Sequence, residues 1–242
     1  MNTEGKEWRD DMAYIEFEHI SKAFGKETIL EDVNFTVEKN EICGFIGRNG
    51  SGKTVIFKLL AGLLLPDSGR ILYKGEDLTK KKGFIESMGT LIESPGFIPH
   101  YSGLRNLKIL NGLSSNPAPV SEVKPAMERV GLDWESRKPV KAYSLGMKQK
   151  LGIAQAVMNR PELLILDEPM NSLDTESVKE MREYFLALQK EQGITILIAS
   201  HIREDIDALC GRIYQVGDRS VVPGPANVPK KSSGPARMEA AR

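Results

Sequence analysis

The sequence has little of several features that define large classes of protein. It contains two cysteines, Cys43 and Cys210, whose wide separation encodes neither a disulfide framework nor the paired spacing of a zinc site. Reduced, buried thiols are therefore expected. Lys and Arg total 33 and Asp and Glu total 33, so the chain lacks the basic excess typical of a nucleic-acid-binding domain. We expect no nucleic-acid partner.

Long apolar runs are absent as well. Runs such as Leu63–Leu65 and Ile194–Ala199 are far shorter than the roughly 20 apolar residues that a helix needs to cross a bilayer. The segment from Met1 to Met12 mixes acids and bases without an apolar centre, so we expect no secretory signal. These absences predict a soluble chain that reaches a membrane only through a partner.

What is present indicates a globular chain that begins with strands. Hydrophobic residues make up 40% and charged residues 27%, which are ordinary values for a folded domain. Apolar and polar residues alternate along Ile15–Phe17 and Val33–Val37, which predicts antiparallel strands with one solvent-facing side. The run Glu41–Ile46 is almost continuously apolar and leads through a glycine-rich turn to helical spacing over 53–64. Strand, glycine loop and helix in this order begin a βαβ unit.

The rest of the chain continues the α/β pattern around a helical stretch. From Pro95 to about Val157 the apolar spacing is helical, which predicts a helical insertion. Leu163–Leu166 is fully apolar and Ile194–Ala199 is apolar except for Thr195, which is typical of strands in a parallel sheet that is covered on both faces. Prolines recur after Gly217 and predict a flexible tail.

The glycine-rich turn matches the pattern G-x-x-x-x-G-K-[ST]. Its residues are Gly47, Arg48, Asn49, Gly50, Ser51, Gly52, Lys53 and Thr54. Glycines let backbone N–H groups surround a phosphate without a Cβ in the way, and the next helix directs its positive dipole end at the anion. Lys53 would reach the β- and γ-phosphates, and the Thr54 hydroxyl would bind Mg²⁺. A plain glycine turn is the alternative, but the flanking strand and helix favour nucleotide binding.

Two carboxylates, Asp167 and Glu168, directly follow the apolar run Leu163–Leu166. They stand at the strand end where open α/β sheets bind ligands. Asp167 is suited to hold Mg²⁺, and Glu168 to orient or deprotonate an attacking water. A solvated strand-end pair is the alternative, and the phosphate loop upstream in the same chain argues against it.

The sequence resembles the ATP-binding subunits of ABC transporters over nearly all of residues 14 to 222, because it contains several of the family's motifs in the family's order. Gly47–Thr54 is similar to the family's Walker A motif, and Leu163–Glu168 to its Walker B motif with the catalytic glutamate. Tyr143–Gln149 resembles a variant of the signature loop, and Asn171–Asp174 resembles the D-loop. Any one of these motifs is weak, whereas the ordered set is very specific.

The resemblance also implies roles for residues that have plain structural alternatives. It makes His201 the switch histidine at the γ-phosphate, whereas a strand-end surface histidine is the alternative. It makes Phe24 the ring that stacks on adenine, although Phe24 could be core between two strands. The resemblance also implies that Ser144 and Gly146 bind the γ-phosphate of the ATP held by another subunit, and that Asp174 contacts the nucleotide. The first two of these could equally cap a helix over 147–157.

The sequence departs from the usual family pattern at two places. In the signature loop Leu145 replaces the first glycine and Met147 the glutamine, which is similar to exporters of the bacitracin-resistance and lantibiotic-immunity type. Glu93 stands where the family usually has glutamine, and lantibiotic-type relatives resemble it there. We expect Glu93 to be an oxygen ligand close to Mg²⁺ when the site is closed. A solvated loop acid is the alternative.

The resemblance implies an α/β fold. It consists of a P-loop NTPase core with a mostly parallel sheet, an N-terminal antiparallel β subdomain and an inserted helical subdomain at about 95–157. One ABC ATPase domain would span 14–222, between a flexible N-terminus at 1–13 and a flexible tail at 223–242.

The implied function is an ATPase that uses ATP and Mg²⁺ to power an exporter, and the resemblance suggests one that serves peptide antibiotic resistance or immunity. The partners would be a separate transmembrane permease subunit and a second ATP-binding subunit, with which the chain would form a head-to-tail homodimer. The chain would be cytoplasmic and peripheral on the inner face of the membrane through its permease. A soluble ABC-type ATPase serving DNA, the ribosome or iron–sulfur assembly is the alternative. A GTPase is disfavoured because no N-K-x-D motif is present.

Overall fold

The computed structural model describes residues 13–80, 85–94, 96–114 and 116–225, which form ten strands and six α-helices. The strands are β1 (Ile15–Phe24), β2 (Glu27–Val37), β3 (Ile42–Ile46), β4 (Ser68–Tyr73), β5 (Glu76–Asp77), β6 (Met88–Leu91), β7 (Leu163–Asp167), β8 (Thr195–Ser200), β9 (Arg212–Gly217) and β10 (Ser220–Pro223). The helices are α1 (Lys53–Leu60), α2 (Gly103–Gly112), α3 (Val120–Arg129), α4 (Leu145–Val157), α5 (Thr175–Gln192) and α6 (Arg203–Leu209).

The alternating segments near the N-terminus form an antiparallel sheet, as the sequence predicts. Its four strands have the order β2-β1-β4-β5. Ile15 lies opposite Val37, and Phe17 lies opposite Phe35 with the ring centroids 4.3 Å apart. All four side chains are buried, because alternate residues of each strand face the same apolar interior.

The continuously apolar segments form the second sheet, which is mostly parallel. Its six strands have the order β10-β9-β3-β8-β7-β6, and only the β10–β9 pair is antiparallel. Every residue of β7 and β8 is buried, since helices or strands cover both faces of the sheet. Parallel pairing places the carboxyl ends of β3, β8 and β7 side by side at one edge. The α/β architecture expected from the sequence is confirmed.

The segment between β6 and β7 contributes α2, α3 and α4. Buried side chains from all three helices, including Leu107, Val123 and Leu151, pack into the same hydrophobic cluster as residues of β7 and β8. The helical periodicity of this segment is therefore confirmed by its secondary structure. The boundaries of a helical subdomain at about 95–157 stay a prediction.

Two expectations about element ends are wrong. Helix α1 ends at Leu60 instead of continuing to residue 64, because Gly62 adopts a left-handed φ of 70° that terminates the helix. Gly217 does not begin a flexible tail, because β9 and β10 form a hairpin there. Pro223 lies on the outer strand of that hairpin, where a missing N–H disturbs no ladder.

The predicted flexible ends, 1–13 and 223–242, lie mostly outside the described residues, because 1–12 and 226–242 are not among them. Within the described part, the backbone N–H of Gly224 still donates to the carbonyl oxygen of Ile213 at 2.8 Å, which anchors the chain after β10. Of the helices that the structure describes, none has both the length and the apolar character that spanning a bilayer requires.

Candidate functional site

Three loops meet at the carboxyl edge of the parallel sheet. The phosphate loop at 47–52 joins β3 to α1, Asp167 ends β7 and Glu168 follows it, and His201 follows β8. Ile46 pairs with Ser200, and Asp167 pairs with Ala199 in the neighbouring strand pair. The strands β3, β8 and β7 are adjacent, so residues at their carboxyl ends become neighbours although they are about 120 positions apart in the chain, as Ile46 and Asp167 are.

The phosphate loop needs glycine at two of its positions. A Cβ on Gly47 would lie 2.3 Å from the carbonyl oxygen of Val216, so a side chain cannot be accommodated there. Gly52 precedes the first turn of α1 with a φ of 106°, a conformation that side chains strongly disfavour. The loop therefore reaches the N-terminus of α1 by a path that exposes its backbone N–H groups to an anion.

Lys53 is buried and holds its ammonium group inside the loop. The Nζ atom donates to the carbonyl oxygens of Gly47 at 2.8 Å and Arg48 at 3.1 Å. It also lies 3.5 Å from Oε1 of Glu168. The ammonium group is thus positioned between the loop and the carboxylates, where a cation can balance the charge of a phosphate.

Asp167 and Thr54 form a pair of hard oxygen donors. The Thr54 hydroxyl donates to Oδ2 of Asp167 at 2.6 Å, while Oδ1 of Asp167 is buried without a hydrogen-bond partner. Burial raises the pKa of the Asp167 carboxyl; the Thr54 hydrogen bond lowers it and the charge of Glu168 raises it. A hydroxyl and an incompletely satisfied carboxylate are suitable ligands for Mg²⁺, which prefers oxygen.

Glu168 lies among groups that fix its carboxylate. Nδ1 of His201 lies 2.9 Å from Oε2 of Glu168, and the Gln149 side-chain amide donates to the Glu168 carbonyl oxygen at 2.9 Å. The backbone of Glu168 has a φ of 50°, which costs about 1–2 kcal/mol for a residue with a side chain. Oε1 of Glu168 and the Ser51 hydroxyl are buried without a hydrogen-bond partner. These unsatisfied atoms suit a site that receives a polar ligand.

A cleft of about 510 Å³ extends from these residues toward the antiparallel sheet. Phe24 lines it together with 49–55, Asp167 and Glu168. The Phe24 side chain is 48% exposed, so the interpretation of Phe24 as core is wrong. Arg48 and Asn49 also line a larger cleft of about 900 Å³ on the side of His201.

The signature-loop residues occupy helix-capping positions. The Ser144 hydroxyl accepts a hydrogen bond from the Met147 backbone N–H at 3.1 Å, which confirms a cap, and α4 begins at Leu145 rather than at residue 147. Gly146 packs closely on the D-loop, since a Cβ there would lie 2.7 Å from the Ser172 carbonyl oxygen. Neither Ser144 nor Gly146 is among the described residues that line the clefts beside the phosphate loop.

Asp174 is a cap as well. Its carboxylate accepts a hydrogen bond from the Ser177 backbone N–H at 2.8 Å at the start of α5, and hydrogen bonds from Ser177 lower the pKa of Asp174. Within this chain the structure does not bring Asp174 into the clefts that Lys53 or His201 line. A nucleotide role for Ser144, Gly146 and Asp174 therefore requires a second chain.

Glu93 follows β6 with a φ of 60° and a side chain that is 61% exposed. Its Oε1 lies 2.6 Å from Nζ of Lys58. It lines a third cleft, of about 420 Å³, together with Asp167, Glu168 and Leu145. Glu93 is thus a solvated loop acid in this conformation, and it stands beside the carboxylates.

Sequence reasoning missed two residues of this site, Lys58 and Gln149. Gln149 stands in the signature motif, but no local pattern reveals that its amide holds the Glu168 backbone. Lys58 lies four residues after Thr54 in the helical segment, a spacing that places both on one face of α1. That spacing is the available signal for Lys58, and its pairing with Glu93 depends on the tertiary fold.

The comparisons with known proteins point to a single family. The sequence profile of the ABC transporter family matches residues 30–171. YybJ of Bacillus subtilis, an uncharacterized ABC transporter ATP-binding protein, is 41% identical over 196 residues, which cover 81% of this chain and 89% of YybJ. The lantibiotic transport ATP-binding protein SrtF of Streptococcus pyogenes is 38% identical over 83% of this chain and 87% of SrtF.

The bacitracin transport ATP-binding protein BcrA of Bacillus licheniformis is 41% identical over 195 residues. The matched region covers 80% of this chain but only 63% of BcrA. Among solved structures, cbiO1 of Clostridium perfringens, part of an ABC transporter complex, matches with a TM-score of 0.73 at 28% identity over 87% of each chain. A dimeric ATP-binding cassette bound to ADP and phosphate has a TM-score of 0.79, covering 86% of this chain and 96% of that one. Because the two sequences are only 19% identical, this match is evidence for the fold alone.

Proposed function

The chain belongs to the ABC transporter family of ATP-binding proteins, and from that premise we propose how its residues bind and hydrolyse ATP. As a member of this family it is the nucleotide-binding ATPase subunit of a transporter. The observation that carries the assignment of its site is the convergence of Lys53, the Thr54–Asp167 pair and the Glu168–His201 pair at one sheet edge.

The phosphates of ATP lie on the backbone N–H groups of Gly47–Thr54, and the Lys53 ammonium exchanges its bonds to loop carbonyls for bonds to phosphate oxygens. Phe24 presents an exposed ring for the adenine to stack on. Thr54 and Asp167 would hold Mg²⁺, which neutralises charge on the phosphates when it is bound. The unpartnered Oδ1 of Asp167 supports this fit.

Hydrolysis is an attack by water on the γ-phosphorus. The water oxygen forms a bond to phosphorus, the bond from phosphorus to the β–γ bridging oxygen breaks, and ADP leaves with that oxygen. Glu168 accepts the proton that the water loses. His201 orients the Glu168 carboxylate through its ring nitrogen, and the nearby γ-phosphate gains a further polar contact from it.

ABC transporter ATPase subunits pair with each other and work with separate membrane subunits, and we extend this to the geometry of the present chain. Two subunits lie head to tail, so that Ser144, Gly146 and Asp174 of one chain face the nucleotide of the other. The subunit lies on the cytoplasmic face of the membrane through its permease. Similarity to BcrA and SrtF, together with Leu145 and Glu93, supports export of a peptide antibiotic. Residues 14–222 form one such ATPase domain.

The function is tested by the Lys53→Ala variant. We expect loss of a charge-assisted contact of about 1.5–3 kcal/mol, which weakens ATP binding by roughly tenfold or more and removes turnover. Titration calorimetry with ATP and a phosphate-release assay measure the two effects. Lys179→Ala, at an exposed position of α5, is the control and should match the wild type. Undiminished ATP affinity in Lys53→Ala would mean that the loop is not the site.

The head-to-tail arrangement predicts the behaviour of Ser144→Arg. An arginine at the start of α4 should leave ATP binding by the monomer unchanged but prevent ATP-dependent dimerisation, because it occupies the space of the partner's γ-phosphate. Ser102→Arg is a matched control, since Ser102 caps α2 in the same way and its loss has a similar cost for its helix. Light scattering with ATP measures the dimer. Equal dimerisation of both variants would contradict the arrangement.

A further inference from the structure

An ion pair lies one helical turn from the residues that would hold Mg²⁺. Thr54 and Lys58 are four residues apart in α1, so they share one face of the helix. Thr54 contacts Asp167 at the first turn, and Lys58 contacts Glu93 with 2.6 Å between Nζ and Oε1. The Glu93 carboxylate is therefore held beside the metal residues but bonded to an ammonium group.

This pair contributes little to the stability of the fold. The side chains of Lys58 and Glu93 are 26% and 61% exposed, and ion pairs with such solvent access are weak because water screens the charges. The backbone of Glu93 also adopts a left-handed φ of 60°, a conformation that is unfavourable for a residue with a side chain. The arrangement is thus readily released when a stronger partner for the carboxylate arrives.

The cleft beside the pair concentrates negative charge. Glu93, Asp167 and Glu168 line the same space of about 420 Å³, where Lys148 is a further cation. The charge of Glu93 is one of the causes that raise the pKa of Asp167, so the two carboxylates interact electrostatically. A bound cation would balance this charge, and without one the Lys58 ammonium balances part of it.

We propose that Lys58 is a positioning residue that holds Glu93 away from the metal site and competes with the metal ion for its carboxylate. Nucleotide with its metal then draws Glu93 from Lys58 toward Asp167. A glutamine at position 93 has no charge for the ammonium to retain, so the competition depends on the glutamate of this chain. The inference rests on the proposed function, because it requires nucleotide and metal at Thr54 and Asp167.

The test measures Mn²⁺ affinity of the full chain by electron paramagnetic resonance, in the presence of a non-hydrolysable ATP analogue. Lys58→Gln should raise the affinity about two- to fivefold, the range expected for release of one exposed ion pair. Lys58→Arg keeps the pair and should match the wild type. In the Glu93→Gln background, Lys58→Gln should have no effect on Mn²⁺ affinity.

Two outcomes would overturn the proposal. Equal Mn²⁺ affinity in wild type and Lys58→Gln, with a lower thermal unfolding midpoint, would make Lys58 merely structural. If Lys58→Gln still raised the Mn²⁺ affinity in the Glu93→Gln background, Lys58 would act as a general positive charge near the site and not through Glu93. Binding of the analogue by the wild type separates these failures from failure of the proposed function, since a chain that binds no analogue would remove both.

Discussion

Glu168→Gln is expected to lower ATP turnover by about 10²- to 10⁴-fold while leaving ATP affinity close to that of the wild type. The amide has the shape of the carboxylate but cannot accept the proton of the attacking water. The phosphate contacts of Lys53 and of the loop are unchanged, so binding persists. The variant should accumulate as a closed dimer with ATP, because closure no longer ends in hydrolysis.

Single-turnover phosphate release and size-exclusion chromatography with ATP measure the two effects in Glu168→Gln. Glu183→Gln, at an exposed position of α5, makes the same chemical change away from the site and should have wild-type turnover. His201→Ala should also lower turnover, since the imidazole lies 2.9 Å from the Glu168 carboxylate and orients it. Turnover of Glu168→Gln within a few fold of the wild type would contradict the assignment of the base.

The second large effect is expected on stability, at the ion pair between Arg182 of α5 and Asp205 of α6. Asp205 is 2% exposed, and the Arg182 guanidinium donates to its Oδ1. Nε of Arg182 and Oδ2 of Asp205 have no hydrogen-bond partner, so the pair is the main compensation for a buried carboxylate. Arg182→Met should therefore lower the free energy of unfolding by about 3 kcal/mol, because it leaves that charge unpaired.

Asp205→Asn should cost less, about 1–2 kcal/mol, since the amide oxygen still accepts from the guanidinium and Arg182 is partly exposed to water. Urea unfolding of each variant measures these losses. The control is Arg203→Met, which removes an exposed pair with Asp207 on the same helix and should cost less than about 0.5 kcal/mol. If Arg182→Met and Arg203→Met were equally stable, the buried pair would have no special weight.

The pair also connects two loops that contain candidate site residues. Helix α6 begins two residues after His201, and α5 begins directly after Asp174. A contact between these helices therefore links the loop that contains His201 to the loop that ends at Asp174. Neither residue belongs to a motif, and their separation of 23 positions follows no helical or strand period.

The candidate site was predictable where the chemistry is local. The glycine loop, Lys53 and Thr54 are consecutive, and Asp167 and Glu168 directly follow the apolar run Leu163–Leu166, so pattern and spacing were sufficient. The ends of elements were less predictable. Helix α1 stops two residues before Gly62, a glycine that the apolar spacing passes over, and the β9–β10 hairpin accepts Pro223 because this residue lies on the edge strand of the sheet.

The sequence by itself determined the two kinds of strand, the phosphate loop and the family, because these depend on residue types within a few positions of one another. Only the tertiary structure decided which partners the side chains have. Glu93 bonds to Lys58 across 35 positions, and Gln149 to the Glu168 backbone across 19. Such contacts depend on how strands and helices are packed, and a carboxylate or an amide in a loop has many possible partners until that packing brings one within hydrogen-bond distance.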